Sequence, residues 1–176
     1  VASLGYLDGK VLDVTYGYGV FWQLYKPDDF TACDLDAEKS PIGYSVDFTQ
    51  LPFEDMSFDA VVFDPPYKLN GTPTDAVDER YGVHVVSKWQ DRLQLMCDGL
   101  IECIRVSNKY VLVKCMDQVV SGKKVWQTIA MYEMAWNYRA TLVDRFDMLV
   151  TPRPQPEGRR QVHTQGNYST LMVFKK

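Results

Sequence analysis

Ser57-Phe58-Asp59-Ala60-Val61-Val62-Phe63-Asp64-Pro65-Pro66-Tyr67 is apolar almost without a break and then stops on two prolines. A strand buried on both faces reads this way, because it has no wet side to carry polar residues. Parallel strands of that kind need helices to cover them, so the stretch predicts an α/β sheet. Proline gives no amide hydrogen to a ladder, so Pro65-Pro66 ends the strand. Asp64 and Tyr67 therefore mark its carboxyl end.

Upstream, Lys10-Val11-Leu12-Asp13-Val14 is a shorter strand leading to Gly17 and Gly19, after which Val20 to Tyr25 can start a helix. Phe30 to Asp34 predicts a second strand and Tyr44 to Asp47 a weaker third. Downstream, a polar stretch from Lys68 to about Val83 is punctuated by Gly71, Pro73 and Gly82. Trp89, Leu93, Met96, Cys97, Leu100 and Ile104 then recur at helical spacing, predicting a helix over 87–105. Tyr110 to Cys115 is another strand and Val125 to Tyr138 another long helix. Thr141 to Val150 and Tyr168 to Phe174 are strand-like, joined by a proline-, arginine- and glutamine-rich segment without a helix. An antiparallel pair is expected there. The expected architecture is α/β: a mostly parallel sheet, helices on both faces and a final hairpin. With 176 residues and no linker or repeat, residues 1–176 read as a single domain.

Hydrophobic residues make up 46% of the chain and charged ones 24%, values of a globular protein that exclude wholesale disorder. No apolar run approaches the roughly 20 residues of a membrane-spanning helix, so no membrane association is expected. Val1-Ala2-Ser3-Leu4-Gly5 lacks the basic start and apolar stretch of a secretory signal. Cys33, Cys97, Cys103 and Cys115 form no Cys-x-x-Cys pair, and His84 and His163 are the only histidines, so no metal site is expected. Free thiols fit a reducing cytoplasm. Net charge is −4, yet Arg153, Arg159, Arg160, Lys175 and Lys176 face Glu157 alone after residue 150. An acidic body carries a basic end.

Asp13-Val14-Thr15-Tyr16-Gly17-Tyr18-Gly19 puts an acid and two glycines at the first strand-to-helix turn, where ligands of open α/β sheets bind. The second strand ends in Cys33-Asp34-Leu35-Asp36, whose carboxylate can accept hydrogen bonds from ribose hydroxyls. The third ends in Val46-Asp47-Phe48, suited to an adenine ring. Together they point to an adenosine-containing cofactor, either a nicotinamide dinucleotide or S-adenosylmethionine. The three-glycine dinucleotide fingerprint is incomplete, and no lysine follows the glycines as in a P-loop.

With Asp64-Pro65-Pro66-Tyr67 in register behind these elements, the chain resembles the class I S-adenosylmethionine-dependent amino-methyltransferases of the DPPY type. That group is best known for methylating N6 of adenine in DNA, and the likeness extends to small phage-type members. The resemblance implies a Rossmann-like fold with a seven-stranded, mostly parallel sheet whose last strand is antiparallel. It implies S-adenosyl-L-methionine as cofactor, bound by Asp13, Thr15, Tyr16, Gly17, Gly19, Asp34, Leu35, Asp47 and Phe48. It makes Asp64, Pro65, Pro66 and Tyr67 the catalytic element. Asp64 and the Pro65 carbonyl would accept the two N–H groups of an exocyclic amine, and Tyr67 would stack on a base taken out of its helix. The family often has Pro-Phe where this chain has Val14-Thr15, which leaves Tyr16, Tyr18 or Phe21 to supply an aromatic contact.

Substrate contacts are expected from Lys68 and Asn70, directly after the tetrapeptide, and from Arg153, Arg159, Arg160 and His163. The expected partner is nucleic acid, DNA ahead of RNA. Alternative targets are RNA adenine or guanine and DNA cytosine N4; a non-catalytic partner subunit is the reading from another class. No separate target-recognition region is expected within residues 1–176, so specificity would rest on loops or on a protein partner. Trp89, Trp126 and Trp136 lie on helical stretches and are expected to pack in the core.

Overall fold

The computed structural model describes residues 1–69, 88–149, 162–163 and 166–176. Its elements run β1 (Val11–Asp13), β2 (Phe30–Ala32), β3 (Phe58–Phe63), α1 (Trp89–Val106), β4 (Ser107–Cys115), β5 (Gln118–Val120), β6 (Lys123–Val125), α2 (Gln127–Asn137), β7 (Thr141–Leu149) and β8 (Tyr168–Lys175). Six strands form one sheet in the order β2-β1-β3-β4-β8-β7. β1 pairs parallel with β2 and β3, and β3 parallel with β4. β8 is antiparallel to both β4 and β7. The α/β sheet with a parallel core and a closing antiparallel pair is thus as expected.

From Ala60 onward along β3, and along β4 and β8, the side chains alternate between two cores, with Phe58 set off by the register shift that precedes Ala60. Phe58, Val61 and Phe63 of β3 join Val111 and Val113 of β4 and Met172 and Phe174 of β8 in one. Ala60, Val62, Leu112, Leu171 and Val173 enter the other. The larger core receives α1 through Met96, Cys97, Leu100, Cys103 and Ile104, and α2 through Met131 and Ala135. All four cysteines are buried in it and unpaired. Gly99 of α1 sits where a Cβ would lie 2.5 Å from the Phe48 ring and 2.8 Å from that of Phe63. That contact lets the helix approach the sheet closely.

Three expectations need correction. Tyr44 to Asp47 forms no strand, so the main sheet has six strands among the described residues, not seven. The segment keeps one ladder-like contact beside β2, the Val46 amide donating to the Asp34 carbonyl at 2.9 Å. Asp47 instead turns back on itself, accepting from the amide and hydroxyl of Thr49 at 2.8 and 2.7 Å. Val20 to Tyr25 yields only a single 3-10 turn, Val20–Trp22, because Pro27 closes the segment before a second turn can form. Both long described helices therefore cover one face. The other is covered by Leu7, Trp22 and half-buried Tyr6, Tyr16, Phe21 and Phe30. Thirdly, Trp126 and Trp136 are exposed rather than packed inside, whereas Trp89 is partly buried against Leu69, Val120 and Val125. No described helix is long and apolar enough to cross a membrane.

Candidate active site

β2 lies on one side of β1 and β3 on the other, so the strand order reverses at β1, and the carboxyl ends of β1 and β3 are where open α/β sheets bind ligands. Asp13 closes β1, Asp64 follows β3, and Asp34 lies two residues beyond β2. Three acids from distant parts of the sequence thus converge because three adjacent parallel strands end together.

The turn after β1 is built for close approach. Gly17 and Gly19 take φ of 54° and 67°, a left-handed conformation that side chains with a Cβ resist. A Cβ on Gly19 would lie 2.7 Å from the Tyr16 hydroxyl, whereas one on Gly17 would meet nothing within 4 Å. The open space at Gly17 borders Asp34, whose Oδ2 accepts the Gly17 amide at 2.8 Å and whose Oδ1 accepts that of Asp36 at 2.9 Å. Both oxygens are pinned while each keeps a lone pair for a ligand hydroxyl. This cradle fits an adenosine-containing cofactor. Leu35 is exposed beside it and Asp47 is exposed farther along. Phe48 turns its ring into the core instead, edge-on to Phe63 at 5.1 Å.

Asp13 is buried, and its carboxylate accepts the Thr15 amide at 2.8 Å and the Trp22 indole N–H at 2.6 Å. Burial pushes its carboxyl up to about 7, those two donors oppose the shift, and the nearby charges of Asp64 and Asp34 add to it. Thr15 ties this acid to the other strand end: its Oγ1 accepts the Asp64 amide at 2.8 Å.

Asp64 itself is met by Lys114 from β4, with Nζ 2.8 Å from Oδ2. Among the described residues its Oδ1 has no hydrogen-bond partner. Burial raises the Asp64 carboxyl and the Lys114 ammonium pulls it back. The same ammonium lies 5.8 Å from the centre of the Tyr67 ring. Past Pro65 and Pro66 the backbone is clamped. The Tyr67 carbonyl accepts side-chain amides of Gln118 and Gln127 at 2.7 and 2.8 Å, and the Leu69 amide donates to Gln118 Oε1 at 3.2 Å. The Lys68 carbonyl accepts Arg92 Nη1 at 3.3 Å.

Lys114, Gln118, Gln127, Arg92 and Trp22 join the site without being among the residues that the sequence singles out. Lys114 alone carries a signal, as a cation interrupting Val111-Leu112-Val113 and Cys115. Of the expected substrate residues, Lys68 borders the site through its backbone, and His163 is exposed. Asn70, Arg153, Arg159 and Arg160 lie outside the described residues.

No protein-family model matches the chain, and no curated protein matches it. Solved structures do. A SAM-dependent methyltransferase from Methanosarcina mazei superposes with a TM-score of 0.61 at 12% identity, covering 99% of this chain and 96% of that one. One from Archaeoglobus fulgidus gives 0.57 at 12% identity, covering 99% and 90%. One from Aquifex aeolicus gives 0.53 at 12% identity, covering 99% and 87%. The likeness is one of fold: this chain has the Rossmann-like fold of class I S-adenosylmethionine-dependent methyltransferases.

Proposed function

We propose that this chain transfers a methyl group from S-adenosylmethionine to an exocyclic amine of a nucleobase, adenine N6 in DNA being the favoured target. The observation that carries the reading is Asp64-Pro65-Pro66-Tyr67 at the end of β3, directly beside the glycine turn after β1. S-adenosylmethionine, when bound, supplies an electrophilic methyl on a sulfonium. Asp13, Thr15, Tyr16, Gly17, Gly19, Asp34, Leu35 and Asp47 would hold it, with Phe48 supporting the wall from within.

An exocyclic amine is a poor nucleophile because its lone pair is delocalised into the ring. Lys114 occupies Asp64 Oδ2, which leaves Oδ1 to accept one amine N–H, and the Pro65 carbonyl accepts the other. Two acceptors set this way favour a tetrahedral nitrogen and localise its lone pair. Pro65 and Pro66 fix φ, and the two glutamine amides hold the Tyr67 carbonyl, so little reorganisation is left for the reaction. The Tyr67 ring can stack on the extruded base.

Incubation with labelled S-adenosylmethionine and DNA or RNA, followed by nucleoside mass spectrometry, tests this. N6-methyladenine above the background of Asp64→Ala is expected. N4-methylcytosine or a methylated RNA base would move the target, and no methylated base with either polymer would sink the reading. Calorimetry with S-adenosylmethionine separates an enzyme from a non-catalytic subunit, which would not bind it.

A further inference from the structure

Helix α2 turns a row of large side chains away from the sheet. Trp126, Ile129, Tyr132 and Trp136 fall at intervals of three and four residues, which places them on one ridge. They are 50%, 48%, 41% and 61% exposed. A contiguous apolar ridge in water marks a contact surface, and the chemistry here narrows the occupant. Three of the four side chains are aromatic, and the Tyr132 and Trp136 rings lie nearly parallel, 19° apart with centres 6.4 Å from each other. Lys124 Nζ stands 5.2 Å over the Trp126 ring, and exposed Arg139 follows the helix end. α2 itself carries one acid, Glu133, and no base, so Lys124 and Arg139 at its two ends give the stretch 124–139 a slight positive balance in a chain of net charge −4.

The ridge also begins at the candidate active site. Gln127, next to Trp126, is the residue whose side chain holds the Tyr67 carbonyl at 2.8 Å. From there to Trp136 the helix climbs about 15 Å at its ordinary rise.

We propose that the α2 ridge is a stacking track for single-stranded nucleic acid, leading the strand toward Tyr67. The inference rests on the nucleic-acid reading of the site. Every base has a π-face that stacks on an aromatic ring whatever the sequence, and cations beside the rings hold the backbone. A duplex keeps those faces covered, so the track selects unpaired strands. A symmetric pairing of two copies would lay this patch on itself and set its cations against one another. Nucleic acid meets them with opposite charge.

The test uses the whole chain without cofactor and a fluorescein-labelled DNA strand of about 20 nucleotides, longer than the roughly 4–16 that one binding fold covers. Anisotropy should show tighter binding of the strand than of its duplex, with quenching of tryptophan emission. Replacing both Tyr132 and Trp136 by alanine should weaken strand binding by about tenfold or more, since each stacked base contributes substantially. Trp126→Ala alone should weaken it in the same direction, which decides the matter if the double variant folds poorly. Melting temperature and S-adenosylmethionine binding serve as controls for folding. Equal affinity for strand and duplex, or unchanged affinity in these variants, would overturn the track. So would a dimer in sedimentation that the same substitutions dissolve. Loss of S-adenosylmethionine binding by the unaltered chain would instead remove the methyltransferase reading and leave the strand measurement standing.

Discussion

Burial raises the Asp64 carboxyl, and the ammonium of Lys114, 2.8 Å from its Oδ2, works against that shift. Lys114→Met removes the opposing charge, so Asp64 should stay protonated to higher pH and lose its role as an amine acceptor. The acid limb of the kcat–pH profile for methyl transfer should move upward, with the rate at neutral pH falling by about tenfold or more. An unmoved limb would reduce Lys114 to packing. Asp13 affects stability in a different way. Its carboxyl is lifted from 3.8 to about 7 by burial, so the folded protein holds a proton that the unfolded chain releases. That contribution is fully present below pH 3.8 and is lost as pH rises through about 7. Urea denaturation of the ligand-free protein should therefore show lower stability on the alkaline side of that window. Trp22→Phe deletes the indole donor to Asp13 and should cost about 1–3 kcal/mol. The cost should be larger above neutrality, where the lost bond is to an ionised carboxylate.

At the scale of elements, the contact of α1 with β3 depends on Gly99. Alanine there favours a helix by about 1 kcal/mol, but its Cβ would press on the rings of Phe48 and Phe63. Gly99→Ala should therefore destabilise the protein by about 1–3 kcal/mol, as overpacking does, measured by denaturant midpoint. The helix carrying this glycine is legible because its apolar residues recur with helical period, and β3 because its run is unbroken. Tyr44 to Asp47 misleads because a few apolar residues beside an acid look alike in a strand and in a turn, and the turn wins through Thr49. The β5–β6 hairpin does carry a local mark, Ser121-Gly122, whose φ of 48° and 77° suit a tight two-residue connection. Acids at strand ends can be read because a parallel sheet brings such ends together. Gln118 and Gln127 cannot, since a buried amide acquires its partner only from tertiary placement.

For the molecule as a whole, the charge asymmetry has a measurable consequence under the proposed function. Changing Arg159 and Arg160 to alanine should flatten the dependence of strand affinity on salt by about 1–2 in log–log slope, the share of two phosphate contacts. An unchanged slope would remove those arginines from the proposed phosphate contacts. The two cores also divide labour: one anchors the helices, while the other is sealed by short turns and aromatic rings from residues 1–30. Because the first of these encloses every cysteine of the chain, native protein offers alkylating reagents almost nothing. Burial pushes the thiols of Cys33 and Cys115 up to about 12 and that of Cys97 to about 11, and raises Cys103 as well. A cysteine introduced at exposed Glu133 would then be the one fast-reacting thiol, able to carry a fluorophore without removal of the natural four. Slow modification of those four would time the opening of the protein's interior.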